Sequence, residues 1–184
     1  GEIARGSSER IDAVIYLFDL RGFTELSERL PGEDLVDLLN DYFGHVVQVI
    51  QAHGGNILKF MGDGVMAMFN VGSLGEDAQA AMRAIRELGP RMERVNAVRA
   101  AQGLPLAGYT MALHAGEILY GNIGAPNRLD FTVIGPAVNL TARIADMHRT
   151  VERSIILSED VRKAAGAEGD CLVSVGRYLL RGVG

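Results

Sequence analysis

Two aspartates occupy positions where a carboxylate could bind a divalent cation. Asp19 lies near the end of the apolar run 12–20 and is followed by the turn LRGFT, while Asp63 lies in the segment KFMGDG. Each aspartate alone is equally well explained by local structure, Asp19 as a cap between strand and helix and Asp63 as part of a tight hairpin turn. If the two segments are neighbours in one sheet, their carboxylates meet at one edge and offer the oxygen ligands that Mg²⁺ or Mn²⁺ prefers.

The turn after Asp19 has the composition of a phosphate-binding turn. Gly22 would let the backbone approach a phosphate closely, and the N–H groups at the start of the next helix attract anions. Two cations held between carboxylates and a triphosphate can activate an attacking oxygen and stabilise a leaving one. The two segments together therefore favour a nucleotide-processing site.

Further polar residues could complete such a site. Lys59 lies in an otherwise apolar strand segment, where its ammonium needs either water or a partner. Asn139 and Arg143 are four residues apart and share one helix face, so they could orient a sugar and neutralise a phosphate. An edge lysine and an ordinary polar helix face are the structural alternatives. Thr132, taken by itself, is best explained as a β-branched residue of the kind that strands favour.

The elements that must position these residues follow from the apolar pattern. A buried strand over 12–20 is followed by a short helix and by a long helix from Gly32 to about His53, where two glycines end it. Two short strands then flank a turn predicted at Asp63–Gly64. The remaining predicted elements are a helix over 75–99, a strand over 106–124, a break at 124–127, a strand over 130–135, a helix over 136–148, and two strands near 154–158 and 171–180 around a small helix.

This order predicts an α/β (α+β) sandwich with a mostly antiparallel sheet covered by helices. Its expected centre is a ferredoxin-like βαββαβ core. The 184 residues suit one domain. We assign residues 1–10 to a linker or a remnant of cloning, and 11–184 to the catalytic domain of a longer chain.

Composition excludes several classes of protein. The net charge of −5 argues against a nucleic-acid partner, which usually requires a basic face. Cys171 is the single cysteine, so no disulfide forms within the chain, as is usual in a reducing cytosol. No apolar run is long enough to cross a membrane. We expect a cytoplasmic domain that itself makes no membrane contact, even if it is tethered to other domains.

Taken together, these segments resemble the class III nucleotidyl cyclases, the family of adenylate and guanylate cyclase catalytic domains. The resemblance covers roughly residues 10–184 and is carried by FDLRGFT, GGNILKFMGDG, GEILYGNIG and DFTVIGPAVNLTARI, in that order. Four such segments in sequence are far more specific than any one of them. The resemblance implies the ferredoxin-like fold and the conversion of ATP to cyclic AMP.

The resemblance also implies a role for each site residue. Asp19 and Asp63 match the ligands of two Mg²⁺ or Mn²⁺ ions. Asn139 matches the residue that orients the ribose, and Arg143 the residue that stabilises charge on the α-phosphate. Residues matching the phosphate-binding turn are Leu20, Gly22, Phe23 and Thr24, and Arg128 could add to phosphate neutralisation.

Lys59 and Thr132 match the pair that reads the purine, in the combination that accompanies adenine rather than guanine. A lysine can donate to adenine N1, and a threonine can accept from the exocyclic amine. The family works as a head-to-tail dimer, so this resemblance implies that one chain supplies the two aspartates and the other supplies Lys59, Thr132, Asn139 and Arg143. We therefore expect ATP and a second copy of the chain as partners, with the segment 119–131 reaching toward that copy.

Two residues depart from the commonest family pattern. Pro136 stands where many members have Asp, which is tolerable because proline fits the first turn of a helix. Thr132 replaces an Asp found in many animal members and points to a bacterial-type enzyme. The alternatives are a guanylate cyclase on the same fold and a silent domain that only dimerises or binds nucleotide. A diguanylate cyclase should instead show GG(D/E)EF at the hairpin, where this chain has GGNILKF.

Overall fold

The computed structural model describes residues 8–125, 128–148 and 154–166, and these form one mixed α+β unit. The strands are β1 (Ser8–Arg21), β2 (Asn56–Met61), β3 (Gly64–Phe69), β4 (Gly108–Ala125), β5 (Arg128–Ile134) and β6 (Ile155–Leu157). The helices are α1 (Phe23–Arg29), α2 (Gly32–Ala52), α3 (Leu74–Ala101), α4 (Pro136–Asp146) and α5 (Glu159–Ala165).

The six strands form one sheet in the order β2-β3-β1-β4-β5, with β6 pairing beside β4. Every pair is antiparallel except β4–β6, which is parallel. The segment from β1 to β4 has the connectivity and strand order of the ferredoxin-like βαββαβ core, which confirms the predicted fold class.

Each face of the sheet carries its own apolar core, because alternate residues of a strand point to opposite faces. Even-numbered residues of β1, such as Tyr16 and Phe18, pack in the larger core together with residues of α2, α3 and α5. Odd-numbered residues, such as Ile15 and Leu17, pack in the smaller core with α4. We call the latter side the α4 face of the sheet.

The long helices begin and end where their sequences require. Ser73 accepts a hydrogen bond from the backbone of Glu76, whose side chain accepts one in return, and this capping box starts α3. Pro136 occupies the first turn of α4, where its missing N–H costs nothing. In the described part of the chain, no helix is both long and apolar enough to cross a bilayer.

The structure corrects three details of the sequence analysis. β1 begins at Ser8, so residues 8–10 belong to the sheet rather than to a linker. The hairpin turn consists of Gly62 and Asp63, whereas Gly64 is already paired in β3, so the turn predicted at Asp63–Gly64 is shifted by one residue. β4 runs on to Ala125, within the predicted break. The strand expected near 171–180 lies outside the described residues.

Candidate active site

The two aspartates meet where the end of β1 lies beside the β2–β3 hairpin. Asp19 is paired with Gly64 in the antiparallel register of β1 and β3. The backbone N–H of Leu20 donates to the carbonyl oxygen of Asp63 at 3.0 Å, which ties the hairpin turn to the end of β1. Gly62 adopts a positive φ of 53°, and this lets the chain reverse in two residues. The sheet therefore brings together the carboxylates that the sequence had only suggested were neighbours.

Gly64 leaves the space that the Asp19 carboxylate occupies. A Cβ at position 64 would lie 2.5 Å from Asp19 Oδ1 and 2.9 Å from the carbonyl oxygen of Phe18. Both distances are well inside van der Waals contact, so only glycine fits at this strand position without displacing Asp19.

The surroundings of Asp19 are electrostatically unfavourable for its own negative charge. Partial burial, the nearby charge of Asp63 and then that of Asp146 raise the pKa of Asp19 from 3.8 to about 6, while His148 acts in the opposite direction. A raised carboxyl pKa of this kind marks a place where added positive charge would be stabilised.

This donor set fits divalent cations that arrive with a ligand. Two crowded carboxylates supply hard oxygen ligands, and a cation would relieve the repulsion that raises the pKa of Asp19. Within the described ranges, no group of three or more His, Cys, Asp or Glu side chains could hold a metal by itself. The remaining ligands would therefore have to come from the phosphates of a nucleotide or from water.

The turn after β1 presents free backbone donors beside the aspartates. Gly22 precedes α1 and has a positive φ of 71°. The first N–H groups of a helix, here those of Phe23 and Thr24, have no partner within it and can bind an anion. The amide of Leu20 differs from these, because it already donates to Asp63.

Lys59 lies on the edge strand β2, which β3 separates from the strand of Asp19. Its backbone is paired with Met66, which is in turn paired with Leu17, two residues before Asp19. Met66 and Leu17 both belong to the core under α4, so Lys59 lies on the α4 face of the sheet, with its side chain exposed. An exposed position gives its ammonium the water or partner that a buried strand would deny.

Asn139 and Arg143 lie one turn apart on α4, as the sequence predicted. Ala137, Thr141, Ile144 and Ala145 hold the buried side of this helix against the sheet. Asn139 is exposed and Arg143 is half-buried. In the described part of the chain, no hydrogen bond or ion pair joins either residue to Asp19 or Asp63.

Thr132 and Arg128 are placed by their backbones alone. Thr132 is paired with Gly121, which is paired with Ser8 at the opposite end of β1 from Asp19. Arg128 begins β5 and is paired with Ala125. The strand register by itself does not bring Thr132 beside either aspartate or beside Lys59.

Two residues near the aspartates were missed by the sequence analysis. The charges of Asp146 and His148, at the C-terminal end of α4, both act on Asp19. An aspartate in the last turn of a helix opposes the helix dipole, and this was the available signal. Neither residue belongs to a motif, and only the packing of α4 on the sheet places them near β1.

Residues 7–184 match the family described as the adenylate and guanylate cyclase catalytic domain. This chain belongs to that family. Among curated relatives of the cyclase domain, "Adenylate cyclase 1" of Rhizobium meliloti is 31% identical over 159 residues, covering 86% of this chain and 24% of that protein. The chain spans 24–32% of the length of the first curated relatives that it matches.

Solved cyclase structures share the fold described above. The guanylyl cyclase Cya2 is 36% identical with a TM-score of 0.78, over 86% of this chain and 80% of that one. The adenylyl cyclase CyaB from P. aeruginosa is 34% identical with a TM-score of 0.77, over 86% and 82%. The two structures are named for different nucleotides, so the cyclase family is clear while the choice of purine depends on the residues of the site.

Proposed function

We propose that this cyclase domain converts ATP to 3′,5′-cyclic AMP and pyrophosphate at sites shared between two copies of the chain. The observation that carries the proposal is the meeting of Asp19 and Asp63 where β1 ends beside the β2–β3 hairpin. The turn that follows β1 has free backbone donors. Each aspartate alone could have a purely structural role. The raised pKa of Asp19 shows that its charge is unfavourable beside Asp63, and a purely structural role does not explain why two carboxylates lie so close together.

Asp19 and Asp63 are the residues that would hold two Mg²⁺ or Mn²⁺ ions. Such ions, when bound, neutralise the phosphates and lower the pKa of the ribose 3′-hydroxyl. The N–H groups following Gly22 would bind the β- and γ-phosphates. We assign no side chain as the base, so the 3′-hydroxyl proton would pass to water or to the substrate.

Asn139 and Arg143 would orient the ribose and stabilise charge on the α-phosphate during in-line attack of the 3′-oxygen. A guanidinium placed where charge develops is an effective electrostatic catalyst. Since neither residue is joined to the aspartates of its own chain, we propose that they act on the nucleotide held by the aspartates of a second copy in a head-to-tail homodimer. Arg128 is proposed only as an additional phosphate contact.

Lys59 supports adenine as the base that is read. Adenine N1 accepts a hydrogen bond, which an ammonium can donate, whereas guanine carries a donor at N1 and would leave that ammonium unpaired. Thr132 would accept from the exocyclic amine. The second candidate is guanylate cyclase activity, since the structure most similar in sequence among those compared above is named a guanylyl cyclase.

Direct turnover measurements test the proposal. We expect cyclic AMP from ATP with Mg²⁺ or Mn²⁺, a lower kcat/KM for GTP, and a loss of activity in Asp19→Asn and Asp63→Asn. Asp12→Asn is the matched control, because Asp12 is an exposed aspartate of the same strand, and it should retain full activity. Faster turnover of GTP would favour the guanylate alternative, and no turnover of either nucleotide by folded dimers would indicate a silent domain.

A further inference from the structure

The strand that carries Lys59 contains a β-bulge. β2 pairs regularly with β3 up to Ile57, which is opposite Ala67, and then the register shifts so that Lys59 lies opposite Met66. Leu58 is the extra residue at this shift, and it packs in the core of the α4 face. Bulges of this kind redirect side chains and are common near functional sites.

Without the bulge, one of two regular registers would form. Continuing the pairing of Ile57 would place Lys59 opposite Val65, whose side chain is fully buried in the core on the other face of the sheet. Lys59 would then face α2 instead of α4, since a shift of one residue exchanges the faces. The turn would also gain Met61 and lengthen from two residues to three, which would displace Asp63.

The other regular register would keep the hairpin tip and change the start of the strand. Pairing back from Met61 opposite Gly64 leaves Lys59 opposite Met66, but it moves Ile57 out of the core beneath α2 where it now packs. The bulge at Leu58 satisfies both ends of β2 at once. Which register forms therefore depends on what stabilises the half of β2 next to the turn, residues 59–61.

Stacking of the exposed Phe60 on the buried Phe43 holds that half. Phe60, opposite Val65, stacks on Phe43 of α2 with ring centroids 5.6 Å apart. Phe60 is 57% exposed, so burial alone gives little reason for a phenylalanine there. Among the described strands β3 is the only neighbour of β2. Met61 supports this half from the core of the α4 face, and Phe60 supports it from the opposite face through α2.

We infer that the Phe43–Phe60 stack is a positioning device, which keeps the bulge at Leu58 and thereby holds Lys59 on the α4 face for reading the purine. This inference rests on the proposed role of Lys59 in selecting ATP. Phe43 and Phe60 touch no substrate in this scheme. They determine nucleotide selectivity through the register of β2.

Nucleotide selectivity is the first test. Phe60→Ala and Phe43→Ala should lower the ratio of kcat/KM for ATP over GTP by about tenfold, because part of the population loses the donor to adenine N1. Deleting Leu58 removes the need for a bulge, since regular pairing then places Lys59 opposite Met66. The double variant with Leu58 deleted and Phe60→Ala should therefore recover selectivity that Phe60→Ala alone has lost. Val98→Ala removes a similarly exposed apolar side chain from α3 and should change nothing.

A cross-link tests the register without any use of activity. In a Cys171→Ser background, Lys59→Cys and Met66→Cys lie opposite each other and should form a disulfide on mild oxidation. Adding Phe60→Ala should slow this cross-link several-fold and favour the pair formed by Lys59→Cys with Val65→Cys. Measuring dimer content in parallel shows whether Phe60 serves only as a contact with the second copy.

The two tests separate the inference from the proposed function. Unchanged selectivity together with an unchanged 59–66 cross-link in Phe60→Ala would overturn the inference, as would a loss of dimers with an intact cross-link. An enzyme that does not select ATP, but whose cross-link shifts as described, would overturn the proposed function and leave the control of register by the stack standing.

Discussion

Replacing Gly64 by alanine is the sharpest single test of how the hairpin and β1 build the site. The new Cβ would lie 2.5 Å from Asp19 Oδ1 and 2.9 Å from the backbone oxygen of Phe18. Reaching ordinary contact requires a displacement of roughly 1 Å. The Asp19 carboxylate can rotate away, but the Phe18 carbonyl is fixed by the pairing of β1, so the hairpin must move as well.

The magnitudes of the two effects differ. Overpacking of this kind costs about 1–3 kcal/mol of unfolding free energy, whereas a misplacement of about 1 Å at a reacting centre can cost about 100-fold in rate. We expect Gly64→Ala to remain folded at 25 °C, with kcat/KM for ATP lowered about 100-fold and a higher metal concentration needed for half-maximal activity. Thermal unfolding and initial rates across a Mn²⁺ titration measure both effects.

A glycine with open space around it provides the control. A Cβ at Gly44, inside α2, meets nothing within 4 Å, so Gly44→Ala should keep full activity and gain up to about 1 kcal/mol of stability from helix propensity. If Gly64→Ala kept activity within a few-fold of the wild type, the position of Asp19 against the hairpin would not matter, and our account of the site would be wrong.

Three further outcomes follow from charges in the structure. Because the pKa of Asp19 is raised to about 6, protons should compete with cations below that pH, and apparent Mn²⁺ affinity in the presence of nucleotide should fall about tenfold per pH unit. In the metal-free protein, the favourable contribution of the protonated Asp19 carboxyl to stability is present below pH 3.8 and is lost as pH rises through about 6. Because the carboxyl is charged and unfavourable at pH 8, Asp19→Asn should raise the melting temperature at that pH and change it little near pH 3.5. Arg99 is 5% exposed and donates to Asp41 and to a backbone carbonyl. Arg99→Met should therefore lower the free energy of unfolding by denaturant by about 2 kcal/mol. Arg10 forms an exposed ion pair with Glu117, so Arg10→Met is the control and should lower it by less than about 1 kcal/mol.

Three results would contradict these predictions. An unchanged melting temperature of Asp19→Asn at pH 8 would show that the charged carboxyl does not destabilise the metal-free protein. A Mn²⁺ affinity that is flat from pH 5 to 8 would show that the carboxyl with the raised pKa is not a ligand. Equal destabilisation by the two arginine variants would show that burial of Arg99 adds nothing to its ion pair.

The fold was accessible from the sequence because its longest elements have unambiguous patterns. The apolar stripe of α2 has the period of a helix, and the continuous apolar run of β1 is typical of a buried strand; the structure confirms both. The position of the hairpin turn could not be predicted in the same way. In GDG either glycine could take the positive φ; the structure has it at Gly62, while Gly64 lies in β3 against Asp19.

The sequence singled out candidate site residues but not the arrangement around them. Asp19 and Asp63 were identified from their segments, and the sheet brings them together. The bulge at Leu58 and the stack of Phe43 on Phe60 were invisible, because the run NILKFM shows no sign of where its extra residue lies. The action of Asp146 and His148 on Asp19 depends on how α4 packs, which no local pattern reports. The division of the site between two copies remains a prediction from family resemblance.

Mixing inactive chains tests that division and the central proposal most directly. Asp19→Ala lacks one half of the proposed site and Lys59→Ala lacks the other, so each heterodimer should contain one intact site. Random mixing at equal concentrations should restore about a quarter of the wild-type rate of cyclic AMP synthesis, since half of the dimers are mixed and each has one working site of two. Mixing Asp19→Ala with Asp63→Ala is the control and should restore nothing. An absence of recovery in the first mixture, with mixed dimers demonstrated, would contradict the shared site.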